Sequence, residues 1–407
     1  MDDPDVVVVG AGIAGGAFAT VMARAGYSVV MLEVTREHRD VVRGELMVPW
    51  GVAEAQRLGL YDLYMQGGGH HTTSFAVYDE DVDPAEAEAH ALDLTQLPFP
   101  PPLCLGHPKM CNLLDEAAVA AGVQFLRGVR HTQVAPGSPP TVSFELDGQA
   151  HVLRPRLVVG ADGRHGRTRS QIGVEEKADP VHHWITGMLV EGADDWPDHV
   201  SCLGVEGWRN FLGFPQGGGR VRLYLCVAAE DRERFMGPDG PRNFLDAFNV
   251  KSAPGAAVFA NARPASEPFC YPNNDTWTDE PFAEGVVLIG DAAGHNDPII
   301  GQGLSIAHRD VRVVTDILKE TTDWSARAFQ PYAEERAERM RRLRNIGRFT
   351  AVRDGEFGEE ARARRRRLAM RLEQQPELRA TQQAVLLGPD LLPPEAYAEE
   401  TIAALLA

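Results

Sequence analysis

The pattern of apolar and polar positions is most regular at the start of the chain. Four valines, Val6–Val9, run directly into Gly10-Ala11-Gly12-Ile13-Ala14-Gly15. A stretch of small and apolar residues follows to about Ala25, then Gly26, then a second apolar run at 29–32. Runs of four are too short for a buried helix and suit strands covered on both faces, so this stretch predicts strand, tight turn, helix, strand. Between 34 and 102 the pattern breaks up, with a short helix over 52–58 and an acidic, proline-bounded stretch at 79–84. Pro98, Pro100, Pro101 and Pro102 precede a helix over 110–121 that Gly122 closes. Short strands and turns fill 124–153, and 157–159 form a compact buried strand leading into Gly160-Ala161-Asp162-Gly163.

From 174 to 271 aromatic and β-branched residues alternate with polar ones, which predicts a mostly antiparallel sheet forming a separate lobe. A further buried strand at 286–289 runs into Gly290-Asp291 and a glycine-rich loop that opens a helix near Gly303. The remainder reads as helix, including a long charged segment over 332–344. The fold class is therefore α/β: a Rossmann-like nucleotide-binding domain, an interleaved antiparallel sheet lobe and C-terminal helices. Residues 1–75, 103–173 and 281–345 are assigned to the first domain, 76–102 and 174–280 to the lobe, and 346–407 to a helical C-terminal segment.

Charge narrows the partners. Fifty-eight acidic against 40 basic side chains give a net charge of -18, which repels nucleic acid and anionic membrane and favours a small-molecule substrate. Cys104, Cys111, Cys202, Cys226 and Cys270 include no CxxC pair and no zinc-type histidine spacing, so no metal is expected and the thiols read as reduced, in a cytoplasmic protein. No basic leader precedes Val6, and no apolar run approaches the length of a membrane span.

Gly10, Gly12 and Gly15 fit a GxGxxG loop. The first glycine permits the turn, the second admits a pyrophosphate to the backbone, and the third lets strand and helix pack. Glu33 stands 23 positions after Gly10, at the end of the second strand, where a carboxylate accepts ribose hydroxyls. The same carboxylate would repel an NADP 2′-phosphate, which leaves FAD or NAD as the tightly held dinucleotide.

The segments Gly10 to Gly15, Gly160-Ala161-Asp162-Gly163, and Gly290-Asp291-Ala292-Ala293 with Pro298 and Gly301-Gln302-Gly303 resemble, in order and spacing, the three flavin motifs of the para-hydroxybenzoate hydroxylase family of FAD-dependent aromatic hydroxylases. The resemblance covers about residues 5–345. It implies FAD as the resident cofactor, NAD(P)H as a transient reductant, and O2 as the source of one oxygen atom given to an aromatic or polyketide-like substrate. Carried over, it implies that Gly10, Gly12, Ile13, Ala14 and Gly15 cradle the dinucleotide and that Glu33 holds the adenosine ribose. Arg43 would lie near the pyrophosphate or the nicotinamide approach, while Asp162 would touch both FAD and the nicotinamide nucleotide. Gly290 and Asp291 would meet the ribityl and pyrophosphate region, and Pro298, Gly301, Gln302, Gly303 and Leu304 the isoalloxazine ring. The helix opening near Gly303 would point its amides at the pyrimidine edge, where charge collects on reduction. No second GxGxxG follows a strand, so Arg43, Asp162 and Arg164 are the candidates for receiving the hydride donor.

The chain also departs from the family. Gly166 stands where a serine is usual, His107 where an arginine is common, and Gly294-His295-Asn296-Asp297 where a histidine more often follows the two alanines directly. The last pattern is also similar to flavin halogenases and geranylgeranyl-reductase-like enzymes. This keeps a flavin-dependent reductase or dehydrogenase and a halogenase as alternatives, although there is no WxWxIP segment and Lys109, Lys177, Lys251 and Lys319 are the only lysines. His295, Asp297 and Pro298 are the catalytic candidates; His295 fits a loop-capping role equally well, and Asp297 fits a helix cap better than a substrate contact. Trp184, Trp208, Phe211, Phe214, Tyr224 and Tyr271 form a set that could wall one apolar pocket. The five arginines of 362–367 read as a solvated helix face paired with Glu359 and Glu360, and 393–407 as a segment that covers the body or pairs two copies in a homodimer.

Overall fold

The valine run is the centre of the molecule. The computed structural model describes residues 3–40 and 44–407. In it Val6–Val9 pairs in parallel with Val29–Glu33 on one side and Leu157–Gly160 on the other. Gln124–Arg127 extends this sheet beyond Val29–Glu33, and Val286–Leu288 extends it beyond Leu157–Gly160, with Phe282–Ala283 as an antiparallel edge. Alternation along the central strand divides the core. Val6 and Val8 pack with Phe18, Met22, Leu114 and Val311 from the helices Ile13–Arg24, His107–Ala120 and Gly303–Glu320. Val7 and Val9 pack with Val134, Val142, Phe144 and Leu153 of a three-stranded antiparallel sheet. Both faces are thus covered, as uninterrupted apolar strands require.

The second large sheet is built from Ser74–Asp79, His183–Glu191, Val200–Glu206, Arg209–Gly217, Arg220–Val227 and Phe269–Asn273. All of these pairings are antiparallel except that of Ser74–Asp79 with Val200–Glu206. Its outer face, carrying Phe211, Leu223, Leu225 and Met188, is closed by Phe244, Phe248 and Phe259. Two of those rings come from helices, Gly240–Asp246 and Ala257–Ala260, that the alternating pattern did not foretell. The period of two also splits the six aromatic residues expected to share a wall. Phe214, Tyr224 and Tyr271 belong to the inner face, whereas Phe211, Trp184 and Trp208 pack on the outer one.

The C-terminal helices Gln330–Asp354, Glu359–Gln374, Arg379–Leu387 and Glu399–Leu406 pack on one another and on the body. The arginine run does not pair with Glu359 and Glu360 as expected. Arg365 meets Asp79 and Glu80, each at 2.9 Å, and Arg366 meets Asp81 at 2.6 Å; Arg362 also pairs with Asp81, and Arg364 with Glu356. For Arg362, Arg365 and Arg366 the partners are the acidic stretch of the lobe, 281–286 residues away in sequence, which helix-local spacing cannot reveal. All five cysteines are free, and four of them are buried. Among the described residues no helix is long and apolar enough to cross a membrane.

Candidate functional site

Parallel pairing places the C-terminal ends of four adjacent strands at one edge, and each end carries one of the segments singled out in the sequence. Gly10 follows Val6–Val9, Glu33 ends its strand, Asp162 follows Leu157–Gly160, and Gly290 follows Val286–Leu288. Ligands of open α/β sheets sit in the crevice outside such ends. Backbone bonds lace the loops together: Gly10 N–H donates to Leu32 C=O at 2.8 Å, Ala161 N–H to Val9 C=O at 2.8 Å, and Ile289 N–H to Gly160 C=O at 3.0 Å.

The first loop has two glycines with no room for a side chain and one with room to spare. At Gly10, φ is +101° and a Cβ would lie 2.5 Å from Ala161 O; at Gly15 it would lie 1.9 Å from Gly10 O. At Gly12 a Cβ would meet nothing within 4 Å, and no side chain caps the helix that starts there. The start of Ile13–Arg24 thus has no side-chain cap and no side chain at Gly12 in the way of an anion, which is what a pyrophosphate needs. Glu33 is buried; its Oε2 accepts from Ala11 N–H at 2.9 Å and its Oε1 from the backbone and hydroxyl of Thr35.

In the second loop, Asp162 Oδ2 accepts from Thr168 N–H and Oγ1–H at 2.9 and 2.8 Å, while Oδ1 is buried without a partner. Gly166 lies directly beneath this carboxylate, where a Cβ would sit 2.1 Å from Asp162 Cγ. The missing serine is thus replaced by the one residue that fits. In the third loop, a Cβ on Gly290 would come within 3.0 Å of Ala14 Cβ, so the first and third segments touch. Asp291 is half-buried and makes no side-chain hydrogen bond among the described residues. Gly301 has φ +62°, Gly303 is exposed, and Leu304 is buried beside Gly44. The Gln302 side chain is spent on the protein: its Oε1 accepts from Trp50 Nε1 at 2.7 Å, and its Nε2 donates to Ile300 and Val385 carbonyls. Arg43 lies outside the described residues.

Of the catalytic candidates, His295 is buried and bonded to Thr276. The Thr276 hydroxyl accepts from His295 N–H at 3.1 Å and shares a hydrogen bond with the ring Nδ1 at 2.8 Å, while Nε2 is buried without a partner. Burial, aided by the cations Arg164 and Arg169, pulls its pKa down to about 3, so it is neutral at pH 7. Asp297 Oδ1 caps Pro298–Ile300 by accepting from Ile299 N–H at 2.9 Å.

A layer beneath the third loop was not singled out in the sequence. Arg336, fully buried, donates to the carbonyls of Gly290, Ala293 and Gly294 and to Asp310 Oδ2; the same oxygen accepts Gly290 N–H at 2.8 Å. Arg339 completes the set by donating to Asp310 Oδ1 at 2.6 Å. Burial alone would raise the Asp310 pKa, but the two guanidiniums outweigh it and hold the carboxyl below its ordinary value. The legible signal was helical spacing: Tyr332, Arg336, Arg339 and Leu343 share the buried stripe of one helix, and a charge on such a stripe needs a buried partner.

Opposite the third loop stands the inner face of the lobe sheet. Its middle rows are apolar, with Tyr271, Ile185 and Cys226 in one and Tyr224, Leu212 and Leu203 in the next, and they pack in one cluster with Ile299 and Ile300. Its ends are polar. Arg222, fully buried, pairs with Glu45 and Asp40 at one end; His183 and Asn273 face each other at the other end and Asn210 closes the row of Tyr271, Ile185 and Cys226, each of the three with a buried side-chain atom lacking a partner.

Residues 3–345 match the family model described as FAD binding domain. The chain belongs to that family. The resemblance read from the three segments is borne out, FAD is the cofactor, and the open cradle at Gly12 with the unpartnered Asp162 Oδ1 fits it. The chain is 25% identical over 341 residues to mouse squalene monooxygenase, covering 79% of this chain but 56% of that protein, so it spans little more than half that relative's length. It is 27% identical over 320 residues to digeranylgeranylglycerophospholipid reductase 1 of Methanococcoides burtonii, covering 75% and 72% of the two chains. The crystal structure of p-nitrophenol 4-monooxygenase PnpA from Pseudomonas putida DLL-E4 shares the fold with TM-score 0.78 at 18% identity, over 96% of this chain and all of that one.

Proposed function

We propose that this protein is an FAD-dependent monooxygenase that uses NAD(P)H and O2 to hydroxylate an aromatic or polyketide-like small molecule. The observation that carries the reading is the apposition of the flavin segments with a mostly apolar sheet face that has polar groups at both ends. FAD supplies the hydride acceptance and oxygen activation when bound; the chain must bind, orient and keep water out. Gly10, Gly12, Ile13, Ala14, Gly15 and Glu33 would hold the adenosine half, and Asp162, Gly290, Asp291 and the backbone of Pro298, Gly301, Gln302, Gly303 and Leu304 the remainder.

Tyr224 and Tyr271, whose pKa values burial pushes far up, stay protonated and offer O–H donors to a substrate lying on the inner face. His295 and Asp297 are assigned to holding the loop that bears Pro298, so no side-chain acid or base is required of them. Arg43, Asp162 and Arg164 remain the receiving groups for the nicotinamide, in a groove without its own glycine fingerprint.

The test is to follow NADPH oxidation and O2 uptake by the purified yellow protein while phenols and polyketides are added. Substrate-stimulated oxidation with matching O2 consumption is the expected result. Equal turnover under argon would replace this reading with a reductase, which the likeness to the Methanococcoides burtonii enzyme supports as the second choice. A strict halide requirement would replace it with a halogenase. Asp291→Ala should leave the fold intact and release the flavin.

A further inference from the structure

Where the polar end of the inner face meets the third loop, two histidines and a carboxylate form a cluster to which the proposed reaction assigns no chemical step. His182 and His183 lie at the start of strand His183–Glu191, and Asp297 lies in the turn before Pro298. One nitrogen of each histidine and a carboxylate oxygen all fall within 4.8 Å of one another. His182 Nδ1 is 3.6 Å from Asp297 Oδ2, and His183 Nε2 is 3.5 Å from Asp297 Oδ1. These separations are too long for good hydrogen bonds. They are close to the roughly 3.3 Å that separates two ligands of one tetrahedral ion with bonds of about 2.0–2.1 Å.

Two of the atoms are moreover stranded. His183 Nε2 and Asp297 Oδ2 are buried with no hydrogen-bond partner, on side chains 2% and 1% exposed. A stranded donor or acceptor is costly and calls for an unseen water or ion. The carboxylate is already oriented, because its Oδ1 holds Ile299 N–H and the Asp297 backbone N–H donates to Asp275 Oδ1 at 3.0 Å. His182, 41% exposed, leaves the cluster open to solvent on one side.

We propose that His182, His183 and Asp297 form a binding site for a divalent transition-metal ion of the zinc class, with a solvent-facing position left open. Two imidazoles and one carboxylate suit zinc; calcium and magnesium would want more oxygens than are present. Spacing along the chain could not reveal this site, because the carboxylate comes from the third loop, 114 positions after His183. The ion would staple the loop that bears Pro298 to the lobe sheet. All three ligands are protein groups, so the site stands whether or not the monooxygenase reading does.

The experiment uses the flavin-loaded protein, dialysed first against a chelator and then against zinc chloride, with zinc per chain measured by elemental mass spectrometry and Tm followed in parallel. One zinc per chain and a raised Tm are expected. His182→Ala, at a half-exposed position, and His183→Gln should weaken zinc binding by more than the roughly 10- to 100-fold that loss of an outer-shell partner costs. The metal-free Tm of His182→Ala should match that of the metal-free wild type, which separates ligand loss from misfolding. His90→Ala, at an exposed histidine elsewhere, should bind zinc as the wild type does. No zinc uptake by the wild type, or wild-type affinity in both His182→Ala and His183→Gln, would overturn the proposal.

Discussion

Beneath the third flavin segment and on the inner face of the lobe sheet, the protein buries polar groups in opposite ways. Under the flavin loop most donors meet an acceptor: Asp310 takes two guanidiniums and an amide, and Arg336 supplies three carbonyls of the loop, with Nη1 of Arg339 the exception. On the lobe sheet, both amide atoms of Asn210 and both of Asn273, together with Nη1 of Arg222, are buried without partners. Pairing this extensive makes a rigid support. Incomplete pairing leaves groups whose desolvation only a ligand or water can offset, which is the physical mark of a surface that awaits one.

The largest effect should come from breaking the paired side. Arg336→Met leaves Asp310 short of a buried partner and takes a donor from three loop carbonyls, of which Ala293 C=O keeps the Thr278 hydroxyl, and should cost about 3–5 kcal/mol by urea unfolding, with loss of bound flavin on gel filtration. If the variant keeps its yellow colour and its stability, the layer beneath the loop is not the support argued here.

The next largest effect is a pH dependence. His308, buried in the helix Gly303–Glu320, accepts from Tyr64 O–H at Nε2 and donates from Nδ1 to Leu304 C=O at 2.7 Å, and burial lowers its pKa to about 4. The unfolded chain takes a proton near pH 6.5 and the folded one does not. Stability should therefore be full above about pH 6.5 and fall towards pH 4, by about 3 kcal/mol at the limit. His308→Gln should flatten that part of the pH–Tm curve, and an unchanged slope would assign it to other groups.

The smallest effect should have the opposite sign. Asn210→Leu removes two stranded polar atoms from the inner face and should raise stability by about 1–2 kcal/mol in the ligand-free protein while weakening substrate-stimulated NADPH oxidation. A destabilised variant would mean that Asn210 is satisfied in the free protein, and the contrast between the two regions would shrink.

What the sequence determined by itself is whatever short-range covalent geometry dictates. Val6–Val9 could only be a strand buried on both faces, and Gly10 and Gly15 stand where backbone leaves no room for a Cβ. Glu33 ends the next strand, and the acid-bearing turns at Asp162 and Gly290 follow strands of the same sheet. The reading of an FAD fold rested on those segments. Tertiary structure alone decided which partner each long-range group meets. Arg336 and Arg339 looked like part of a charged helix until Asp310 was placed against them. Arg362, Arg365 and Arg366 found Asp79 to Asp81, not their helical neighbours. Phe211 and Phe214, three positions apart on one strand, fell on opposite faces of the sheet. Backbone conformation is set within a few residues, so it can be read from spacing; the pairing of buried charges depends on which distant surface arrives, and only the folded chain supplies that.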